Sequence, residues 1–408
     1  MTLDELSGER VSRPRVPGSR WPMGVALVAA VFGSMPAFLT GIMAVLLRAD
    51  LGFGERGLGA AISIFFAAAA IGSVPAGHLV ERIGARAGLL IGAAGTTATL
   101  AGIGLLANSW GQLVLWLVLG GAALAFTQPA SNLALTRGIR FRRLGLAFGL
   151  KQGAIPAATM LGGAALPLIG LTLGWRWAFG GMAVLTSTYL LALLLRRLPP
   201  GQPAAAAPHG DAAAKHVLVL AVSGALGMAA GNSLGSFFVE FAVSSGIAVG
   251  AAGVWLVVGS IGSILARVLW GWFADRRDGR NLAFIMALMG IGAASFVVLA
   301  LSPWPALLAA STFVAFATAW GWPGLMLYTV VRLRRETPAA STGVVLAGTF
   351  VGGAVGPVLF GTLVEQVSYQ VAWLTAALLL VLAAGCAWIA RRLLLTDLAH
   401  RRATPEFG

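Results

Sequence analysis

The sequence predicts an all-α polytopic membrane protein: twelve transmembrane helices in two pseudo-symmetric six-helix bundles. Three observations carry this. Apolar residues make up 58% of the 408 positions and charged residues only 10%, against roughly 25% charged in a soluble domain. The charges cluster, and the runs between them are long and apolar enough for membrane helices. The cations then fall almost wholly on one face of the resulting topology. Lipid offers no partner to a free backbone N–H or C=O, so only helices or closed barrels cross it. These runs lack the alternation of barrel strands.

The elements follow in order. Residues 1–21 form a polar N-terminal tail without the apolar core of a signal peptide. The first bundle, 22–197, holds spans at 22–47, 57–80, 87–106, 111–135, 145–170 and 175–195. Residues 198–215 form a linker rich in Pro, Ala and Gly, a composition without a core of its own. The second bundle, 216–393, holds spans at 216–242, 249–273, 281–301, 305–331, 340–364 and 370–393, and 394–408 is a short tail. Short gaps such as "NSWG" at 108–111 and "SPWP" at 302–305 suit outer turns.

The outer turns hold only Arg48, Arg56 and Arg176, and Lys151 and Arg267 lie within spans. Every other member of the 28 Lys and Arg falls on the opposite face. The positive-inside rule therefore places both termini in the cytoplasm. Arginine dominates, with Lys151 and Lys215 the only lysines, and Ala and Gly abound. That composition points to a GC-rich bacterial genome and so to an inner membrane. The net charge of +14 then faces anionic headgroups, not nucleic acid.

The linker divides the spans six and six, and each half carries a charged turn at the same place. "GHLVERIGAR" (Gly77 to Arg86) joins spans 2 and 3, and "GWFADRRDGR" (Gly271 to Arg280) joins spans 8 and 9. Spans 6 and 12 open on the aromatic runs "GWRWAF" and "SYQVAW". Such internal repeats are common in transporters, with the substrate site where the halves meet.

These turns resemble the signature G-x-L-a-D-R-x-G-R-R of the major facilitator superfamily. Gly77, Leu79, Arg82, Gly84 and Arg86 match in the first copy, with Glu81 in place of Asp. Gly271, Ala274, Asp275, Arg276 and Arg280 match in the second. The resemblance covers essentially the whole chain. It implies two bundles that rock about a central cavity, with these turns acting as a latch between halves that favours the outward-open state. A carboxylate at such a turn can also rest on a helix N-terminus, where the dipole favours negative charge.

An ionisable residue inside a span is a functional candidate by default. Lys151 stands about two turns into span 5 and either faces the cavity or snorkels back to the headgroups. Arg267 shares one helical face with Gly271 and Asp275. Its position resembles that of the span-8 arginine that binds substrate carboxylate in monocarboxylate porters and oxalate/formate exchangers. Ser263 stands where the monocarboxylate porters carry an acid. The alternative for Arg267 is a structural pair with Asp275 or with the inner end of another helix. Glu240, near the outer end of span 7, is either a proton carrier or a carboxylate at the wet rim. Gln128 in "TQPASN" and Asn232 in "GNS" can supply hydrogen bonds to a ligand. Span 5 lacks the Gly-Pro pair of the superfamily's drug antiporters.

No catalytic, metal or cofactor site is expected. Cys386 is the only cysteine, the four histidines are scattered, and no P-loop, H-E-x-x-H or G-x-S-x-G occurs. The partners expected are a small-molecule substrate and the bilayer, with the chain a monomer. Three readings stay open. The first is a secondary transporter of a small organic anion, drawn by the positive charge of Lys151 and Arg267. The second is a proton-coupled exporter of apolar or cationic compounds. The third is a transport-inactive membrane sensor.

Overall fold

A computed structural model describes residues 20–136, 144–196, 214–276, 281–334 and 338–403. The terminal tails up to 19 and from 404, most of the linker, and Arg280 of the second charged turn lie outside these residues. Among them are twelve helical stretches long and apolar enough to cross a membrane.

The helices are α1 (Arg20–Ile42), α2 (Ala44–Leu51), α3 (Glu55–Leu106), α4 (Trp110–Thr136), α5 (Leu144–Ala165), α6 (Leu171–Leu173) and α7 (Trp175–Leu195) in the first half. In the second they are α8 (Lys215–Ser244), α9 (Val249–Arg276), α10 (Asn281–Leu301), α11 (Pro305–Thr318), α12 (Pro323–Leu333), α13 (Pro338–Gln366) and α14 (Tyr369–Ala403). Most are apolar on every face, as a helix between protein and lipid must be. Leu115, Val184, Val258 and Leu382 present side chains to the outside.

The edges differ from expectation in four places. α3 runs through spans 2 and 3 as one rod with a single non-helical residue, Gly84, at φ 87° and ψ 163°. Only glycine adopts that conformation without strain, and there the chain turns back through the membrane. Span 1 breaks at Met43 and resumes as the short α2. Span 5 ends in a π turn over Leu166–Gly170, where Pro167 supplies no N–H to the ladder. Span 10, read as one run over 305–331, is two helices separated by 319–322, the "AWGW" stretch before Pro323. Broken helices are tolerated at membrane depth where protein covers the freed backbone.

The main pairings that join the halves are α5 with α9, α3 with α13, α1 with α8, and α5 with α12. In span numbers the first two are 5 with 8 and 2 with 11. Exchanging the halves turns each of these pairs into the other, as an interface around a pseudo-two-fold axis requires.

Candidate functional site

The seam between spans 5 and 8 is built from small residues. A Cβ on Gly145 would strike the backbone of Gly271, and one on Gly149 the backbone of Arg267. Toward the other end, Gly163 and Gly253 meet in the same way. Glycine at these positions lets two backbones touch, the usual device for close helix pairs in lipid. Polar groups cross the seam at intervals. Thr159 Oγ1 and Ser260 Oγ are 2.8 Å apart. Asp275 Oδ1 accepts from Gly145 N at 2.9 Å, and Oδ2 from Leu146 N at 3.0 Å. Both donors lie in the first turn of α5, where N–H groups have no helical partner and the dipole favours an anion.

Between the two ends sits Arg267, 1% exposed. Its Nη1 donates to the Gln152 carbonyl on span 5 and its Nη2 to the Trp320 carbonyl in the span-10 break. The guanidinium also lies 5.3 Å from the Trp320 ring centroid, a cation–π distance. Arg267, Gly271 and Asp275 thus all face span 5. The structural pair between Arg267 and Asp275 is absent; each bonds to backbone instead.

Lys151 is 7% exposed, and its Nζ donates to Asn132 Oδ1 on span 4. Its stem turns into its own half, whereas Arg267 turns toward span 10. Gln128, one turn before Asn132, is half-buried. Asn232 is 4% exposed, and its Nδ2 and the Phe66 ring both crowd the Cα of Gly353. It therefore sits where spans 2, 7 and 11 converge. Phe38 joins this region to span 10, with its ring 5.3 Å from that of Trp320.

The outer ends of the halves are tied by charge. Arg48 pairs with Glu240 across the interface and with Glu55 at 2.9 Å, and its Nε donates to Phe53 O at 3.1 Å. Burial opposes the charge on Arg48, but Glu240 and Glu55 outweigh it and hold the guanidinium above its ordinary pKa range. Glu240 is 6% exposed, so it is no rim carboxylate. Glu365 accepts from Arg56 N at 2.9 Å, and Ser63 Oγ accepts from Val358 N at 3.0 Å. A recess of about 400 Å³ near these ends is lined by Leu46, Ala49, Asp50, Gly174 and Trp175. It opens away from Arg267, Lys151 and Asn232.

The two charged turns are not equivalent. In the second, Asp275 crosses to the other half, and Arg276 stacks on Trp272 at 3.7 Å. In the first, Arg86 Nη2 donates to Leu193 O and Leu194 O, both at 3.1 Å, at the end of α7 in its own half. Glu81 and Arg82 are exposed, and neither makes an ion pair among the described residues. Gly77 has nothing within 4 Å of an added Cβ. Ile71, two turns earlier, is 80% exposed. Span 2 meets span 11 at Gly59, Ser63 and Phe66, in its outer half, while span 8 is pressed against span 5 at its inner end as well.

Sequence reasoning missed the Arg48–Glu240 pair and the carbonyl partners of Arg267. The second had a signal: Gln152 lies four residues before Pro156.

Two six-helix halves, glycine seams between them and ionisable groups buried at their junction are the architecture of a polytopic membrane transporter. The chain belongs to the Major Facilitator Superfamily, whose family model matches residues 25–228 and 220–406. Solved structures agree in fold. A bacterial homolog of the human lysosomal transporter Spinster, inward-facing and occupied, superposes with a TM-score of 0.73 at 17% identity, covering 94% of this chain and 98% of that one. Its unoccupied inward-facing form gives 0.71 at 18% identity, covering 93% and 98%. A D-xylose-proton symporter gives 0.73 at 17% identity, covering 90% and 96%. No curated protein matches the chain in sequence. The superfamily is one of transporters, not enzymes.

Proposed function

We propose that this chain is a secondary transporter of a small organic anion, working by alternating access in a bacterial inner membrane with both termini cytoplasmic. One observation carries the reading. Lys151 and Arg267 are buried cations, and among the described residues neither has an acidic partner. A buried unpaired charge costs several kcal/mol, on the order of the 3–5 kcal/mol lost when a buried pair is broken. An interior that keeps two of them is suited to a ligand that brings the missing charge. Lys151, Arg267, Gln128 and Asn232 are the proposed substrate contacts, and Glu240 the proposed proton-coupling group. The second charged turn, through Asp275, is the proposed inner latch in this state.

A ligand of the folded state raises apparent stability by mass action. Purified protein screened by thermal shift should respond to one class of organic anion. Lys151→Gln and Arg267→Lys should each lose that response. An unchanged response in both variants would remove these residues from the site. A second reading has support from the aromatic wall of Phe38, Phe316 and Trp320, which suits an apolar substrate. Stabilisation by neutral aromatic compounds and not by anions would favour it.

A further inference from the structure

Both carbonyls that Arg267 holds are ones the backbone has left free. Proline has no N–H, so Pro156 cannot donate to the carbonyl four residues before it, which is Gln152 O. Trp320 O lies in the 319–322 break between α11 and α12, where the helical ladder stops and no backbone N–H reaches it among the described residues. Gln152 belongs to the first half and Trp320 to the second. A guanidinium carries several donors in a rigid fork, so one side chain can cap both at once. The contact of Gly149 with the Arg267 backbone sets the height of the fork against span 5. The third edge of the fork is unused: Arg267 Nε is buried without a hydrogen-bond partner.

We propose that Arg267 is a clamp between the halves that the substrate releases: it staples the Gln152 and Trp320 carbonyls together, and a carboxylate arriving at its free Nε edge draws it off them. The releasing step rests on the anion reading above; the clamp itself does not. Arg267 and Trp320 share the second half, so the bond that crosses the halves is the one from Nη1 to Gln152 O. A carboxylate that docks on Nε and Nη2 takes Nη2 from Trp320 O and turns the guanidinium, which carries Nη1 off Gln152 O. The carboxylate brings an opposite charge and two parallel N–H···O bonds to a guanidinium that otherwise meets single neutral carbonyls, so the carboxylate wins. Pro156 and the span-10 break act in this device as positioning features, because they create the acceptors. Binding and unlocking then become one event, and an empty carrier stays held at this seam.

The single cysteine makes the test clean. In a Cys386→Ser background, spin labels at His78→Cys and Arg391→Cys report the separation of the inner ends, since both residues are exposed there on opposite halves. Pro156→Ala restores an N–H to the Gln152 carbonyl, and Arg267→Lys keeps the charge but loses the fork. Without ligand, each should raise the population of the longer inner distance by about fivefold, the low end of ordinary coupling. Pro129→Ala, a proline replacement inside one half, should leave the distribution unchanged. Lactate, succinate and benzoate, added singly, should move the parent the same way for the class that binds, and should not move Arg267→Lys. Superimposable distributions for the parent and Pro156→Ala would overturn the clamp. A shift in Pro129→Ala equal to that in Pro156→Ala would do the same. A shift in Pro156→Ala with no response of the parent to any carboxylate removes the anion reading and leaves the clamp standing.

Discussion

Asp275 and Glu81 hold matching positions in the two charged turns, yet only Asp275 reaches the other half. Its carboxylate accepts two N–H bonds at the start of α5. Bonds to a charged group are worth about 1.5–3 kcal/mol each, and the helix dipole adds about 0.3–1 kcal/mol. Asp275→Ala should therefore free the inner end of span 8, and an alkylating reagent should reach a cysteine placed at Leu146 faster. Glu81→Ala should leave the same rate nearly unchanged, because Glu81 makes no contact across the interface here. Equal acceleration by both would show that the turns act as a symmetric pair. At the outer end, Arg48→Ala leaves Glu240 buried without its cation. Breaking such a pair costs about 3–5 kcal/mol, and the closed outer side bears that cost. Labelling from outside at Ser63→Cys should rise in this variant. Glu240→Gln keeps the shape of the group and removes its charge. If Glu240 carries the coupling proton, uptake in this variant should no longer follow an imposed pH gradient, whereas counterflow should persist.

At the scale of elements, the spans were legible because lipid imposes a simple rule: long apolar runs and charges at the ends. The turn at Gly84 was legible because its positive φ needs glycine and the signature places one there. The break in span 10 was not. "AWGW" is as apolar as its surroundings, and hydropathy has no term for the loss of an intrahelical bond. The same limit hid the Arg267 clamp. Its acceptors are backbone carbonyls, which have no residue letter, and only the Pro156 spacing betrays one of them. Arg48 and Glu240 lie in separate halves, 192 positions apart, and nothing local links them. The seam glycines were visible only as composition; their partners emerge in three dimensions. They also give a test at this scale. Gly145→Leu and Gly271→Leu each place a side chain where the facing backbone lies. Either should hold the inner ends of spans 5 and 8 apart, detectable as loss of cross-linking between cysteines at Leu146 and Trp272. The same change at Gly180, which has nothing within 4 Å of an added Cβ, should leave that cross-link intact.

The whole molecule is held shut at its outer ends by Arg48 and Glu240 and at one inner seam by Asp275 and Arg267. Rocking of the halves needs only the release of groups that span them. The polar groups among them are few and set among glycines, and the Phe38–Trp320 ring contact joins the halves beside them. In the proposed function the buried cations connect this machinery to the cargo, since Arg267 is both a proposed substrate contact and part of the seam. The most direct measurement is uptake of labelled organic anions into proteoliposomes, with parent protein, Arg267→Lys and Lys151→Gln reconstituted at equal density. The account predicts saturable, gradient-driven uptake of one class of carboxylate by the parent and its loss in both variants. Uptake of that class at parental rates by both variants, or gradient-driven movement of neutral or cationic compounds alone, would contradict it.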